Sequence, residues 1–286
     1  MQSREEKLNK IIQWAKENNN VRAVLLTSSL ASSIAPVDEF SDLDIELVFD
    51  DIDPYQSANE WVWDFGKPIA MVEEDETFFE GKNAMKMVLY DDYVKVGFKL
   101  YKKQEFMLDV KKEELPEDWD VGYKVLVDKD GLSITLKPPT YQSVLVKKPE
   151  EKRFNQLLND FWWDMTYVAK CLKRDELFYA KFMSEDMMRT DYLVPLIEWY
   201  IGSEHGWNIT ANKHGRLFKK YLPADLWEKI EQTFSGSNNQ ENWKALFAYA
   251  DIAHLLGKDV AGRLGYDYPI QLEKNIRGYL EYIKDK

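Results

Sequence analysis

At 286 residues, the chain has room for two domains of about 150 residues each. With 45% apolar residues, among them 10 Trp, 16 Tyr and 14 Phe, it carries enough apolar area for packed cores, which excludes disorder over most of its length. Its 38 basic and 50 acidic side chains leave a net charge of −12, which disfavours a phosphate backbone and so argues against nucleic acid as a partner.

The acidity is uneven. Residues 1–150 hold 19 basic and 30 acidic side chains, whereas residues 151–286 hold 19 and 20. The acidic half suits a metal cation or a polycationic small molecule; a solvated acidic surface is the plainer alternative. No apolar run approaches the ~20 residues of a membrane span. Met1 to Lys10 is polar and unlike a signal peptide, and Cys171 has no partner for an internal disulfide. A cytoplasmic protein away from membranes, monomeric or homodimeric, is the expectation.

In chain order, Leu8, Ile11, Ile12 and Ala15 share one helical face, predicting a helix over 4–18. Val21 to Leu26 reads as a buried strand. Thr27 to Ser41 reads as a loop with room for a short helix, and Leu43 to Phe49 as a second strand. Ser57 to Phe65 is a further helix candidate. Met85–Tyr90 and Tyr93–Tyr101 flank Asp91-Asp92 as a hairpin that lacks the favoured glycine. Tyr123 to Val127 is another strand. Beyond Pro138-Pro139 the strand signals stop, and helical periodicity takes over at 150–173, 175–201, 224–234, 239–256 and 268–284. The expectation is an α+β chain with two domains: a mixed sheet with helices over 1–138, then an all-helical domain over 139–286.

Chemistry concentrates in Thr27-Ser28-Ser29-Leu30 and Ser41-Asp42-Leu43-Asp44-Ile45-Glu46-Leu47. Strand side chains alternate, so Asp42, Asp44 and Glu46 share one face, while Leu43, Ile45 and Leu47 enter the core. Three carboxylates in a row are tolerable where water covers them or where a divalent cation does. Mg²⁺ takes hard oxygen ligands, typically one or two carboxylates plus substrate phosphates. A small-residue turn before the strand suits a phosphate. The competing reading is a half-exposed strand whose acids simply face water.

These segments resemble the nucleotidyltransferase superfamily of the DNA polymerase β type, and more closely the bacterial aminoglycoside 6-adenylyltransferases, also called streptomycin adenylyltransferases. The likeness runs nearly end to end, through Asp38-Glu39-Phe40-Ser41-Asp42-Leu43-Asp44-Ile45, Phe65-Gly66-Lys67, Leu126-Val127-Asp128-Lys129-Asp130, Phe161-Trp162, Thr166-Tyr167-Val168-Ala169-Lys170 and Lys219-Lys220-Tyr221-Leu222. The resemblance implies transfer of AMP from Mg²⁺·ATP to a hydroxyl of a cationic, streptomycin-like aminoglycoside. It implies that Asp42 and Asp44 hold the metal and that Ser29, with Ser28 beside it, meets the phosphates.

Three departures stand out. Ser28 replaces the family's Gly, so a β-carbon sits where a positive backbone dihedral is expected. Leu30 replaces an Arg. Gly97, in Lys95-Val96-Gly97-Phe98, replaces the third carboxylate. Two expectations follow. Either Glu46 stands in as ligand or base, with a lesser part for Asp91 or Asp92, or catalysis is impaired and the protein binds a nucleotide or an amine without transfer. A plain solvent-facing role for Glu46 is the further alternative.

The histidines, His205, His214 and His254, have no metal-ligand spacing. Most aromatics of the second half are expected in its core. Asp160, Asp164, Glu185 and Asp186 are candidates for substrate ammonium groups or ordinary surface acids, and Lys213, Arg216, Lys219 and Lys220 read as a solvated basic face.

Overall fold

The computed structural model describes residues 2–286 and divides the chain into two compact units, Met1–Val144 and Leu145–Lys286. The first unit opens with a helix, Gln2–Glu17, whose Ile11 and Ala15 are fully buried. Six strands follow: β1 (Val21–Thr27), β2 (Leu43–Phe49), β3 (Pro68–Glu74), β4 (Asn83–Tyr90), β5 (Lys95–Lys102) and β6 (Tyr123–Asp128). They form one mixed sheet in the order β3-β4-β5-β2-β1-β6. The β2–β5 pair is parallel, and the others are antiparallel.

Both faces of the sheet are covered. On one face Val24, Leu26, Leu43, Ile45, Leu47, Val96 and Phe98 pack beneath the N-terminal helix, with Trp61 and Phe65. On the other, Ala23, Leu25, Val48 and Tyr101 pack against Phe106, Val110 and Trp119, which come from the helix Lys103–Val110 and the short helix Glu117–Asp120. The alternation of β2 is therefore real: Leu43, Ile45 and Leu47 lie in the first core, while Asp44, Glu46 and Val48 take the second face.

One local expectation changes, and two features go beyond the sequence reading. Ser57–Phe65 is not one helix. A short helix spans Asp53–Gln56 and a 3-10 helix spans Glu60–Phe65; the Trp61 indole N–H donates to Tyr55 O at 3.0 Å and to Ala58 O at 3.1 Å, which fixes the break. β3 is an edge strand with Ile69 and Val72 exposed, so it lacks the inward-outward alternation that marks a strand. The hairpin needs no glycine because Tyr93 itself takes the left-handed conformation, φ 61°, after a turn closed by Tyr93 N–H to Tyr90 O.

The second unit is helical throughout its regular segments: Glu151–Lys173, Leu177–Lys181, a π-helical stretch Phe182–Leu193, Val194–Glu204, Ala224–Glu231, Asn239–Leu264 and Ile270–Asp285 are its longer elements. Phe154, Phe161, Trp162, Trp199 and Tyr249 lie in its core. Trp163, Phe178 and Tyr179 are exposed, outside the core expected for most aromatics of this half. No helix among the described residues is long and apolar enough to cross a membrane.

Asp120 ties the end of the first unit together. Its buried carboxylate accepts from Thr140 N–H, Thr140 Oγ1, Tyr141 N–H and Ser143 N–H. Burial alone would raise this carboxyl, but the hydrogen bonds from Ser143 and Thr140 outweigh it and hold the pKa at about 2. A depressed carboxyl stabilises the fold above its ordinary pKa, and that stabilisation is lost as pH falls from about 4 through about 2. Asp120→Asn is expected to be less stable than the parent at pH 7, with the gap closing toward pH 2; urea unfolding at several pH values measures it.

Candidate active site

The sheet register brings the sequence-predicted residues to one end. β1 finishes at Thr27 and runs into a one-turn 3-10 helix, Ser28–Leu30. β2 begins beside it, antiparallel, with Leu26 opposite Ile45, and Thr27 Oγ1 lies 3.5 Å from Asp44 O. β5 starts at the same end, parallel to β2, with Gly97 level with Asp44. β6 also begins there, with Tyr123 opposite Thr27 and Lys124 opposite Leu26. Ser28, Ser29, Asp42 and Asp44 are all partly exposed at this end.

Ser28 settles the first departure. Its φ is 61°, so the turn keeps a left-handed residue in spite of the side chain. The conformation costs a non-glycine residue about 1 kcal/mol. Ser28→Gly is expected to raise stability by roughly that amount, read as an increase in thermal midpoint; a decrease would show that the hydroxyl holds the turn.

The two aspartates differ. Asp42 precedes β2, and its Oδ2 lies 3.2 Å from Lys95 Nζ, both groups being about half exposed. An ammonium thus already occupies one cation position at Asp42, and in open solvent such a pair is weak enough to give way to a stronger cation. Asp44 sits on the strand itself, and its carboxylate lies over Gly97: a β-carbon built there would stand 3.3 Å from Asp44 Oδ1 and 4.0 Å from Leu43 O. The place of the missing side chain is therefore bordered by Asp44.

Glu46 is corrected. It does share the Asp44 face, but it is only 2% exposed, neither a solvent-facing acid nor an open base. Its Oε2 accepts from Trp119 Nε1 at 2.7 Å, and its Oε1 lies 3.4 Å from Lys99 Nζ, which also reaches Asp118 at 3.2 Å. Burial pushes the Glu46 carboxyl up, against the pull of Lys99 and Trp119. Burial would lower Lys99, but Glu46 and Asp118 outweigh it and push the ammonium up. Glu46 is a structural acid of the second core. Asp92 is likewise engaged, accepting from Ser3 Oγ at 2.6 Å and pairing with Lys7 at 3.2 Å. Among the described residues no three His, Cys, Asp or Glu side chains gather to hold a metal, so the three-carboxylate set does not form. Two half-exposed carboxylates of hard oxygen fit Mg²⁺ when phosphate oxygens complete its shell.

Sequence reasoning missed the contribution of β6. Gly122, φ 135°, lies so close to the turn that a β-carbon on it would stand 2.7 Å from Ser32 Cα and 2.9 Å from Ala31 O. Lys124 Nζ donates to Leu30 O at 3.0 Å. Nothing local in the sequence signals either contact, since both depend on the β1–β6 pairing.

In the second unit, Tyr192 donates to Asp164 Oδ2 at 2.8 Å, and burial pushes the Asp164 carboxyl up. Glu185 is committed to Arg189 at 2.6 Å and lies 3.7 Å from Lys181.

A mixed sheet covered on both faces, a serine turn after β1 and an aspartate pair where β2 begins define an α+β nucleotidyltransferase. The streptomycin adenylyltransferase family model matches residues 1–283, and the chain belongs to that family. It is 29% identical over 277 residues to an aminoglycoside 6-adenylyltransferase of Campylobacter jejuni, covering 96% of this chain and 93% of that one. It is 29% identical over 287 residues to an aminoglycoside 6-adenylyltransferase of Bacillus subtilis (strain 168), covering 99% and 98%. The solved structure of an aminoglycoside 6-adenyltransferase from Bacillus subtilis aligns over 98% of this chain and 99% of that chain, with 25% sequence identity and a TM-score of 0.48.

Proposed function

We propose that the protein transfers AMP from Mg²⁺·ATP to a hydroxyl of a cationic aminoglycoside of the streptomycin kind, as an antibiotic-modifying enzyme. The observation that carries this reading is the convergence of the Ser28–Leu30 turn with Asp42 and Asp44 at one end of the sheet, in a chain that belongs to the family throughout.

Asp42 and Asp44 hold the metal, and Ser28 and Ser29 meet the phosphates. The acceptor oxygen attacks the α-phosphorus, a new P–O bond forms, the bond to the bridging oxygen breaks, and pyrophosphate leaves. Mg²⁺, when bound, neutralises charge on the triphosphate and its departing oxygens. Lys95, 3.2 Å from Asp42 Oδ2 in a half-exposed pair, would have to leave that carboxylate for Asp42 to serve as a ligand. Glu46 takes no part as base; it holds Lys99 and Trp119 in place beneath the site. With glycine at 97, the hydroxyl proton leaves to water, so turnover is slow for want of a general base, whose contribution is typically about 10²- to 10⁴-fold. The net charge of the first half suits a polycationic acceptor.

The test is pyrophosphate release from Mg²⁺·ATP across a panel of aminoglycosides, with Asp42→Asn alongside. Release with streptomycin-like acceptors, lost in the variant, supports the reading. ATP binding without release on any acceptor replaces it by a binding protein, and unchanged release in Asp42→Asn removes the metal assignment.

A further inference from the structure

A triphosphate keeps negative charge after one magnesium ion is bound, and Asp42 and Asp44 add more at the same place. Cationic side chains near the turn are therefore needed to hold the nucleotide. Leu30 supplies none, and Lys95, on β5, is placed beside Asp42 and not against the turn. Among the described residues, Lys124 is a cation whose side chain reaches the turn: its Nζ donates to Leu30 O at 3.0 Å. It is exposed, and it forms no ion pair among the described residues. That is notable in a half of the chain with 30 acidic and 19 basic side chains.

A second feature fixes this lysine. Gly122 packs on the backbone of Ala31 and Ser32 so closely that even a methyl group would stand 2.7 Å from Ser32 Cα. The start of β6 is thus packed directly on the segment that follows the serine turn, and Lys124 lies two residues beyond that contact. A long ammonium side chain on a rigid strand is suited to meet phosphate as a point charge.

We propose that Lys124 is a nucleotide-binding residue that contacts the triphosphate at the Ser28–Leu30 turn and supplies the positive charge that Leu30 lacks. This rests on the adenylyltransferase reading of the same site.

The experiment measures Mg²⁺·ATP affinity by calorimetry at two salt concentrations, for the parent, Lys124→Gln, Lys124→Arg and the double variant Lys124→Gln/Leu30→Arg. Lys124→Gln is expected to weaken ATP binding about tenfold and flatten its salt dependence. Lys124→Arg is expected to keep affinity within about threefold, and Leu30→Arg to restore part of the loss, since each returns a cation to the turn. A purely structural contact between Lys124 and the Leu30 carbonyl would not be rescued by Leu30→Arg. Equal affinity and salt slope in the parent and Lys124→Gln, or a loss that neither arginine repairs while circular dichroism shows an intact fold, overturns the proposal and leaves the adenylyltransferase reading standing. A parent that binds no Mg²⁺·ATP overturns both.

Discussion

Asp44→Asn is expected to lower AMP transfer about 10³-fold or more while leaving the fold intact, because it removes the charge of a carboxylate proposed to hold the metal. Asp44 stands on β2 between β1 and β5, level with Gly97, and its position is set by strand pairing on both sides. Asparagine keeps the shape and one acceptor oxygen, so the packing beside Gly97 survives, yet a neutral amide is a poor partner for magnesium. The loss is expected in kcat/KM, with ATP affinity in the absence of metal changed little. Steady-state pyrophosphate release measures it, and a variant within tenfold of the parent would remove Asp44 from the metal site.

Gly97→Asp is expected to raise kcat by about 10²-fold or more, since a positioned general base typically contributes about 10²- to 10⁴-fold. The new side chain would grow from β5 into the space bordered by Asp44, whose Oδ1 lies 3.3 Å from the new β-carbon. Asp44 must yield by a few tenths of an ångström, and its partial exposure allows this. The pH dependence distinguishes a base from a mere repacking: the gain should disappear at acid pH as the added carboxyl is protonated, and Gly97→Asn should not reproduce it. A Gly97→Asp variant no faster than the parent would show that proton removal does not limit turnover.

How far the sequence reveals this molecule depends on whether the information is local. β2 was legible because Leu43, Ile45 and Leu47 must be buried, and period-two spacing then dictates the face of Asp44 and Glu46. The N-terminal helix and the long helices of the second unit were legible for the same reason, each burying a stripe of its own residues. β3 was not, because at the sheet edge its Ile69 and Val72 stay exposed and leave no alternation to read.

Within the site, spacing put Asp42, Asp44 and the Ser28–Leu30 turn in view, and the pairing of β1 with β2 brings them to one end. It could not show that Glu46 is shut in, because the Trp119 that caps it comes from 73 residues further along the chain. The same holds for Gly122 and Lys124, whose contacts with the turn exist only once β6 pairs with β1. The residues that choose between an open and a committed carboxylate are distant in sequence, and tertiary packing alone assigns them.

The central claim is that Asp42 and Asp44 together hold a divalent cation against ATP. Mn²⁺ electron paramagnetic resonance, in the presence of a non-hydrolysable ATP analogue, tests it without requiring turnover. The account predicts protein-bound Mn²⁺ in the parent that is lost in Asp42→Asn and in Asp44→Asn but kept in Glu46→Gln. Undiminished Mn²⁺ binding in the two aspartate variants would contradict it.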